Sequence, residues 1–268
     1  MKPIINHYEK ERLREDKGKI LPKHFDVLGD IAVISLPSDQ LHNKYETGRA
    51  IAKSRRNIKT VLLKRTMLEG DFRTPGFEVI WGENKTVTTH KEFGFIYNID
   101  LARVFFNPRL LSERRRVSSM VSPGEDVIVP FSGAGPFAVP AASFGASVVC
   151  LEKNPVACRY LRKNAVLNRV SGNIDVVNGD ACDLARIFDF EFDRAIVPAA
   201  YGMENIVDTV LDVVKTGGKI HLYTFIPDNE KDEKICRFRG AGLETEFFKR
   251  CGNVCPGISR YVFDLLKL

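Results

Sequence analysis

The sequence predicts an α/β protein with a doubly wound, mostly parallel, Rossmann-like sheet that follows a smaller N-terminal α+β unit. From about residue 126, apolar runs alternate with helix-compatible segments, which is typical of a parallel sheet connected by helices. One of these runs leads into a glycine turn and a helix, and the next apolar run ends on an acid. The preceding residues hold several short strand patterns without this alternation. A chain of 268 residues with 44% hydrophobic residues is long enough to form both parts.

The first unit is predicted to span residues 1–105. Residues 1–20 are rich in charge and are predicted to form a helix, and a second helix fits residues 38–54. Short apolar and β-branched runs predict strands on both sides of a turn at Gly29-Asp30 and at 60–64, 77–81, 85–90 and 93–100.

The second unit is predicted to span residues 106–268 and to begin with a helix near 110–120. Strands are then predicted at 126–131, 147–152, 173–178, 218–225 and near 259–266. The predicted helices are at 136–144, 154–168, 203–215 and 229–240. The end of the chain fits an antiparallel pair added to the parallel sheet.

Composition limits the classes of function. The six cysteines form no CxxC pair and have no zinc-site spacing, so we expect reduced thiols and no metal. No apolar run approaches the roughly 20 residues of a membrane span, and the N-terminus lacks a signal-like apolar centre. We therefore expect a soluble, cytoplasmic protein. The net charge of +6 is clustered, which fits either a nucleic-acid partner or solvated helix faces.

Three strand ends predict a cofactor pocket. Gly133 and Gly135 form the turn after the first strand of the second unit, where a cofactor can approach the backbone closely. Glu152 ends the next strand and can accept hydrogen bonds from ribose hydroxyls. Asp180 follows the third strand, where it could hold an adenine amino group. These features together predict an adenosine-containing cofactor.

The turn favours S-adenosylmethionine over a dinucleotide. The full GxGxxG fingerprint is absent, and a pyrophosphate prefers bare backbone amides at the start of a helix. One departure is evident in the first strand, because Pro130 stands where such pockets usually carry an acid.

Longer motifs resemble a known family. The segments PFSGAGPF, CLEKNPVACRYLRKNAVLNRV, HKEFGF and VFFNPRL resemble the archaeal and eukaryotic tRNA guanine-37 N1-methyltransferases. They also resemble the related aminocarboxypropyl transferases of wybutosine synthesis. The similarity covers about residues 20–268. It implies an S-adenosylmethionine-dependent enzyme that methylates N1 of the guanine beside the anticodon of tRNA, and we expect it to act as a monomer.

The resemblance also implies roles for individual residues. Methylation at N1 requires a base for the N1 proton and a donor for the charge that develops at O6. By position, Glu113 resembles the base and Arg73 the donor, although an exposed helix ion pair would also explain Glu113. The implied cofactor contacts are Arg114, Phe131, Gly133, Gly135, Glu152, Lys153, Asp180, Ala181 and Pro198. The implied RNA contacts are Arg109, Arg115, Arg116 and Tyr201.

A second departure keeps other activities open. The family has Asn-Leu-Pro near the target base, and the corresponding segment here, 193–202, has no asparagine. Tyr201 could stack on a flipped base in its place, or could simply pack at the sheet edge. Aminocarboxypropyl transfer with the same cofactor and a non-catalytic tRNA-binding protein therefore remain alternatives. A small-molecule methyltransferase would explain neither the arginine cluster nor the first unit.

Overall fold

The computed structural model describes residues 22, 24–65, 76–203 and 205–268. The chain forms two compact units, one of Met1–His90 with Ile99–Arg103 and one of Lys91–Asn98 with Val104–Leu268. The predicted helix at 1–20 and Arg73 lie outside the described residues. The predicted fold class is confirmed: a large, mostly parallel sheet follows a smaller unit of strands and a helix. The functional boundary at residue 105 stays a prediction.

The first unit holds a four-stranded sheet with one helix against it. Its elements are β1 (Asp26–Leu28), β2 (Ile31–Ile34), α1 (Lys44–Ser54), β3 (Thr60–Lys64) and β4 (Phe77–Gly82). The strands lie in the order β1-β2-β3-β4, with only the β2–β3 pair parallel. Ile51 of α1 is fully buried against this sheet together with Val61 and Leu63. The predicted helix at 38–54 begins as a 3-10 turn over Ser38–Asn43.

A hairpin of β5 (Val87–Glu92) and β6 (Phe95–Asp100) follows. Its two-residue turn has positive φ angles, 46° at Phe93 and 89° at Gly94. Such angles are typical of the tight turns that match the twist of two strands. Both strands were predicted, and the first is shifted by two residues relative to the prediction at 85–90.

In the second unit, α2 (Leu111–Ser118) precedes the large sheet and lies close to the helix predicted at 110–120. The remaining elements are β7 (Asp126–Pro130), α3 (Ala138–Ser143), β8 (Ser147–Glu152), α4 (Pro155–Leu167), β9 (Ile174–Asn178), α5 (Leu184–Ile187), β10 (Phe192–Pro198), α6 (Ile206–Leu211), β11 (Val214–Pro227), α7 (Lys231–Gly240), β12 (Leu243–Cys255) and β13 (Ile258–Lys267). The helix predicted at 203–215 is reduced to α6, because the buried Val213 and Val214 lead into β11 instead.

The seven strands lie in the order β12-β13-β11-β10-β7-β8-β9. All neighbouring pairs from β9 to β11 are parallel, while β13 is antiparallel to β11 and β12. Consecutive strands β7 and β8 lie on one side of the point where the order reverses, and β10 lies on the other. Open α/β sheets bind ligands outside the carboxyl ends of strands at such a point. No helix in the described part of the chain has the length and apolarity needed to cross a bilayer.

Candidate active site

The glycine turn after β7 uses left-handed backbone. Phe131, Gly133 and Gly135 have φ angles of 55°, 55° and 88°. A left-handed angle costs a residue with a side chain roughly 1–2 kcal/mol, and Phe131 offsets this by packing its half-buried ring on the core of the sheet. At Gly135 a Cβ would also lie 3.1 Å from Cγ of Leu161, so the helix α4 packs closely on the turn. Pro130 is buried at the end of β7 and places no charge at this strand end.

Glu152, at the end of β8, holds this turn in place. Its Oε2 accepts a hydrogen bond from the Gly133 N–H at 2.8 Å, and its Oε1 accepts one from the Asn154 N–H at 2.8 Å. Burial raises the pKa of Glu152, and these backbone donors oppose that effect. Each carboxylate oxygen can accept a further hydrogen bond. Glu152 can therefore bind two hydroxyl groups of a ligand while it holds the turn.

Asn164 of α4 and Asn168, which caps the end of that helix, connect it to the glycine turn and to β6. The Asn164 amide donates to the Ala134 carbonyl at 2.9 Å and to the Asn98 carbonyl at 3.2 Å, and it accepts from the Asn98 N–H at 2.8 Å. The Asn168 amide likewise donates to the Ile96 carbonyl and accepts from the Ile96 N–H. We predicted no role for either asparagine from the sequence. Their spacing of four in a helix, which places both on one face, was the available signal.

Asp180 completes the cofactor edge, which we define as the ends of β7, β8 and β9. Its carboxylate accepts the Cys182 N–H at 3.0 Å and pairs with Lys153 at 3.1 Å, and the Cys182 N–H is the main reason that its pKa is lowered. Asn178 donates to the carbonyls of Glu152 and Lys153, which ties β9 to the end of β8. Ala181, a predicted contact, is buried beside Asp180.

This donor set fits an adenosine cofactor without phosphates. The edge presents two carboxylates, Glu152 and Asp180, which attract hydroxyl and amino groups and repel phosphate. The segment before α3 contains Pro136, which has no N–H to offer to an anion. S-adenosylmethionine, which carries a ribose, an adenine and a cationic sulfur, is compatible with these residues.

Glu113 is buried in α2, with only 2% of its surface exposed, which contradicts the alternative of an exposed ion pair. Its Oε2 accepts a hydrogen bond from Nε of Arg116 at 2.8 Å and lies 3.4 Å from the Tyr223 hydroxyl, which donates to it. Its Oε1 lies 3.9 Å from Nζ of Lys249, a largely exposed side chain. The fixed donors therefore hold one oxygen, and the other forms a longer ion pair with the largely exposed Lys249.

Glu113 belongs to what we call the ionic network: Glu113, Arg116, Asp264, His221, Arg194 and Glu125. Arg116 binds Glu113 through Nε and Asp264 through both terminal nitrogens, so two carboxylates share its charge. Arg194 binds Glu125 through Nε at 2.7 Å and through Nη2 at 3.0 Å. The network connects α2 to β10, β11 and β13.

His221 joins the two halves of the network as a neutral ring. Arg194 donates to Nε2 at 2.7 Å, and an arginine can only donate, so Nε2 carries no proton. The remaining ring proton lies on Nδ1, which donates to Asp264 at 2.6 Å. Burial lowers the pKa of His221, and the pairing with Asp264 opposes this effect only in part. The network therefore stays intact while His221 is neutral.

The predicted arginines differ in their burial and in their partners. Arg114 is buried in a bidentate pair with Glu92 and also donates to the Asn107 carbonyl at 2.9 Å, so its contact with a cofactor stays a prediction. Arg116 lies in the ionic network, which favours a structural role over the predicted phosphate contact. Arg109 and Arg115 are exposed, and the Arg115 guanidinium lies 4.8 Å from the Phe93 ring centroid.

Pro198 and Tyr201 lie at the carboxyl end of β10. Pro198 is half-buried and is the β-sheet neighbour of Tyr223. Tyr201 is 48% exposed, and its ring meets Phe225 edge-on with centroids 5.5 Å apart. Tyr201 is thus anchored at the sheet edge and still presents surface to a ligand.

Two family models match the chain. The model described as the TRM5/TYW2 methyltransferase domain matches residues 88–246. The model described as the TYW2 N-terminal domain matches residues 5–86. Together they cover nearly all of the chain.

Two relatives with assigned activities are similar to this chain. The tRNA (guanine(37)-N(1))-methyltransferase Trm5b of Pyrococcus abyssi is 36% identical over 81% of this chain. The chain spans 64% of that relative's length. The tRNA(Phe) (4-demethylwyosine(37)-C(7)) aminocarboxypropyltransferase of Pyrococcus horikoshii is 28% identical, and the match covers 99% of this chain and 96% of the relative.

Solved structures show the same fold. The complex of aTrm5 and tRNALeu matches with a TM-score of 0.84 and 28% identity, over 99% of this chain and 80% of that one. The Pyrococcus horikoshii TYW2 structure in complex with MeSAdo matches with a TM-score of 0.76 and 28% identity, over 96% of this chain and 98% of that one.

Proposed function

Because the chain belongs to the TRM5/TYW2 methyltransferase family, we propose that it methylates N1 of guanine at position 37 of tRNA with S-adenosylmethionine. The observation that carries the proposal is Glu113, a buried carboxylate with one oxygen fixed by donors and the other in a longer ion pair with the exposed Lys249. A buried, oriented carboxylate is suited to take a proton from a substrate.

The cofactor edge would hold S-adenosylmethionine. Glu152 would accept the ribose hydroxyls, and Asp180 would accept from the adenine amino group. When bound, the cofactor supplies an electrophilic methyl group on a sulfonium. The relative solved with MeSAdo supports a ligand of this class.

Glu113 would act as the base through Oε1. It takes the N1 proton of guanine, which leaves the N1 lone pair available for the new bond to carbon. Arg116 and Tyr223 keep the carboxylate in one orientation during this transfer. Arg73, which lies outside the described residues, would stabilise the charge at O6.

A second candidate is aminocarboxypropyl transfer to a tricyclic guanine derivative. It is favoured by the match of residues 5–86 to the TYW2 N-terminal domain and by the near full-length match to the Pyrococcus horikoshii enzyme. The higher identity to Trm5b and the candidate base Glu113 favour methylation.

Two labels on the cofactor distinguish these candidates. The protein is incubated with tRNA transcripts that carry G or A at position 37, once with methyl-labelled and once with carboxyl-labelled S-adenosylmethionine. Methylation predicts methyl label in the G transcript alone. Carboxyl label in a transcript or tRNA that carries the wyosine precursor would support the second candidate, and no label in any RNA would contradict both.

A further inference from the structure

Arg260, Phe225 and Tyr201 form a stack at the carboxyl end of the central strands, which we call the Arg260 stack. Phe225 of β11 and Arg260 of β13 are direct neighbours in the sheet. The guanidinium carbon lies 4.5 Å from the Phe225 ring centroid, a cation–π distance, and Phe225 in turn meets the ring of Tyr201 edge-on. The stack therefore joins β13 to the segment that follows β10.

The Arg260 guanidinium is half-buried, but within the described residues it has no hydrogen bond and no ion pair. The other arginines of this region differ. Arg116 and Arg194 bind carboxylates of the ionic network, and Arg250 of β12 pairs with Asp228. Burial lowers the pKa of Arg260, because the surroundings stabilise its charge less well than water does. Burying a cation is unfavourable unless an anion compensates it.

One strand, β12, lies next to both Arg260 and the candidate base Glu113. Gly252 of β12 pairs with Arg260 in the sheet, and Nζ of Lys249 on the same strand lies 3.9 Å from Oε1 of Glu113. Burial raises the pKa of the Cys251 thiol to about 11, while Arg260 lowers it and Glu113 raises it. Arg260 and Glu113 are therefore both next to β12.

The stack is also separated from the cofactor edge. The order β13-β11-β10-β7-β8-β9 places β11 and β10 between Arg260 and the strands that carry Gly133, Glu152 and Asp180. The ribose and adenine of a cofactor, which carry no negative charge, would lie at those distant strands, whereas an RNA substrate offers a phosphate at every nucleotide.

We propose that Arg260 binds an RNA phosphate next to the nucleotide whose base enters the site, with Tyr201 stacking on that base. A guanidinium fits a phosphate in a bidentate way, and a partly desolvated guanidinium binds it more strongly than an exposed one. Aromatic rings are common stacking partners of unpaired RNA bases. This inference rests on tRNA as the substrate class of the proposed function.

The test measures tRNA binding by Arg260→Gln and Arg260→Lys over a series of salt concentrations. The control is Arg237→Gln, which removes the same charge from an exposed arginine of α7 that pairs with Glu233. Loss of a charge-assisted contact predicts binding about 10–100-fold weaker for Arg260→Gln at low salt. The slope of log affinity against log salt should fall by about one relative to the control. Arg260→Lys should keep most of the slope.

Equal affinities and slopes for Arg260→Gln and Arg237→Gln would overturn the inference. So would a loss of S-adenosylmethionine affinity with unchanged tRNA affinity, because it would assign Arg260 to the cofactor. Unfolding midpoints confirm that each variant is folded. If the Gln variant is not, the Lys variant carries the test through its affinity, which should fall because lysine cannot bind a phosphate in a bidentate way; affinity equal to wild type would then overturn the inference. If wild-type protein binds tRNA but transfers no label, the proposed function fails while the Arg260 measurement still stands.

Discussion

The cofactor edge and the ionic network are built from different kinds of contact. At the cofactor edge, Glu152 accepts backbone donors from Gly133 and Asn154, which lie 19 and 2 residues away in the sequence. In the ionic network, side chain meets side chain over long separations, 148 residues between Arg116 and Asp264 and 69 between Arg194 and Glu125. The first region is therefore a local structure, whereas the second forms only when the complete sheet has assembled.

This difference predicts separate effects of mutation. A change at the cofactor edge should weaken ligand binding with little effect on the fold. A change in the network should destabilise the fold and disturb the orientation of Glu113, and should leave the affinity for the cofactor intact.

The largest effect on stability is expected for Asp264→Asn. It removes the buried carboxylate that Arg116 and His221 share, so the partly buried Arg116 keeps Glu113 but loses its bidentate partner. Breaking a buried pair in this way should lower the free energy of unfolding by about 3–5 kcal/mol. Urea unfolding measures this loss, with Asp208→Asn on the exposed side of α6 as the control. A loss equal to that of the control would show that the network does not stabilise the sheet.

Glu152→Gln should act mainly on cofactor binding. The amide group that replaces one oxygen cannot accept a hydrogen bond, so one ribose contact or one turn contact is lost. The affinity for S-adenosylmethionine should fall about 10–100-fold, and unfolding should change little. Calorimetric titration measures the affinity, with the exposed Asp175→Asn as the control. Unchanged affinity would remove Glu152 from the cofactor site.

The smallest effect concerns pH. Burial holds the pKa of His221 below its ordinary value, so at mildly acidic pH the unfolded chain binds a proton that the folded chain does not. Stability should fall as pH drops below about 6.5, by up to about 1.4 kcal/mol per pH unit from this group, until the folded pKa is reached. His221→Gln does not titrate and should show a shallower slope between about pH 5 and 7, measured by thermal unfolding. Identical slopes would contradict the neutral, buried ring.

The sequence was sufficient for the cofactor edge and not for the network. A strand that runs into a glycine turn, and an acid that ends the next strand, are local signals, so Gly133 and Glu152 could be placed together. Arg116 could only be assigned from its charge, because its partner Asp264 is 148 residues away and only the finished sheet brings them together. The pairing of Arg114 with Glu92 of the hairpin and the stacking of Arg260 on Phe225 also join side chains of different elements, and no local sequence pattern indicates either contact.

The proposed reaction depends on Glu113 taking a proton from N1 of guanine 37 in tRNA. Mass analysis of nucleosides from a tRNA transcript tests this step, after reaction with wild-type protein, with Glu113→Gln and with Glu246→Gln, an exposed carboxylate of β12. We expect 1-methylguanosine from wild type and from Glu246→Gln, and a rate about 10²–10⁴-fold lower for Glu113→Gln with unchanged cofactor affinity. Wild-type rates in Glu113→Gln, or a methyl group elsewhere in the RNA, would contradict a role of Glu113 as the base for guanine N1.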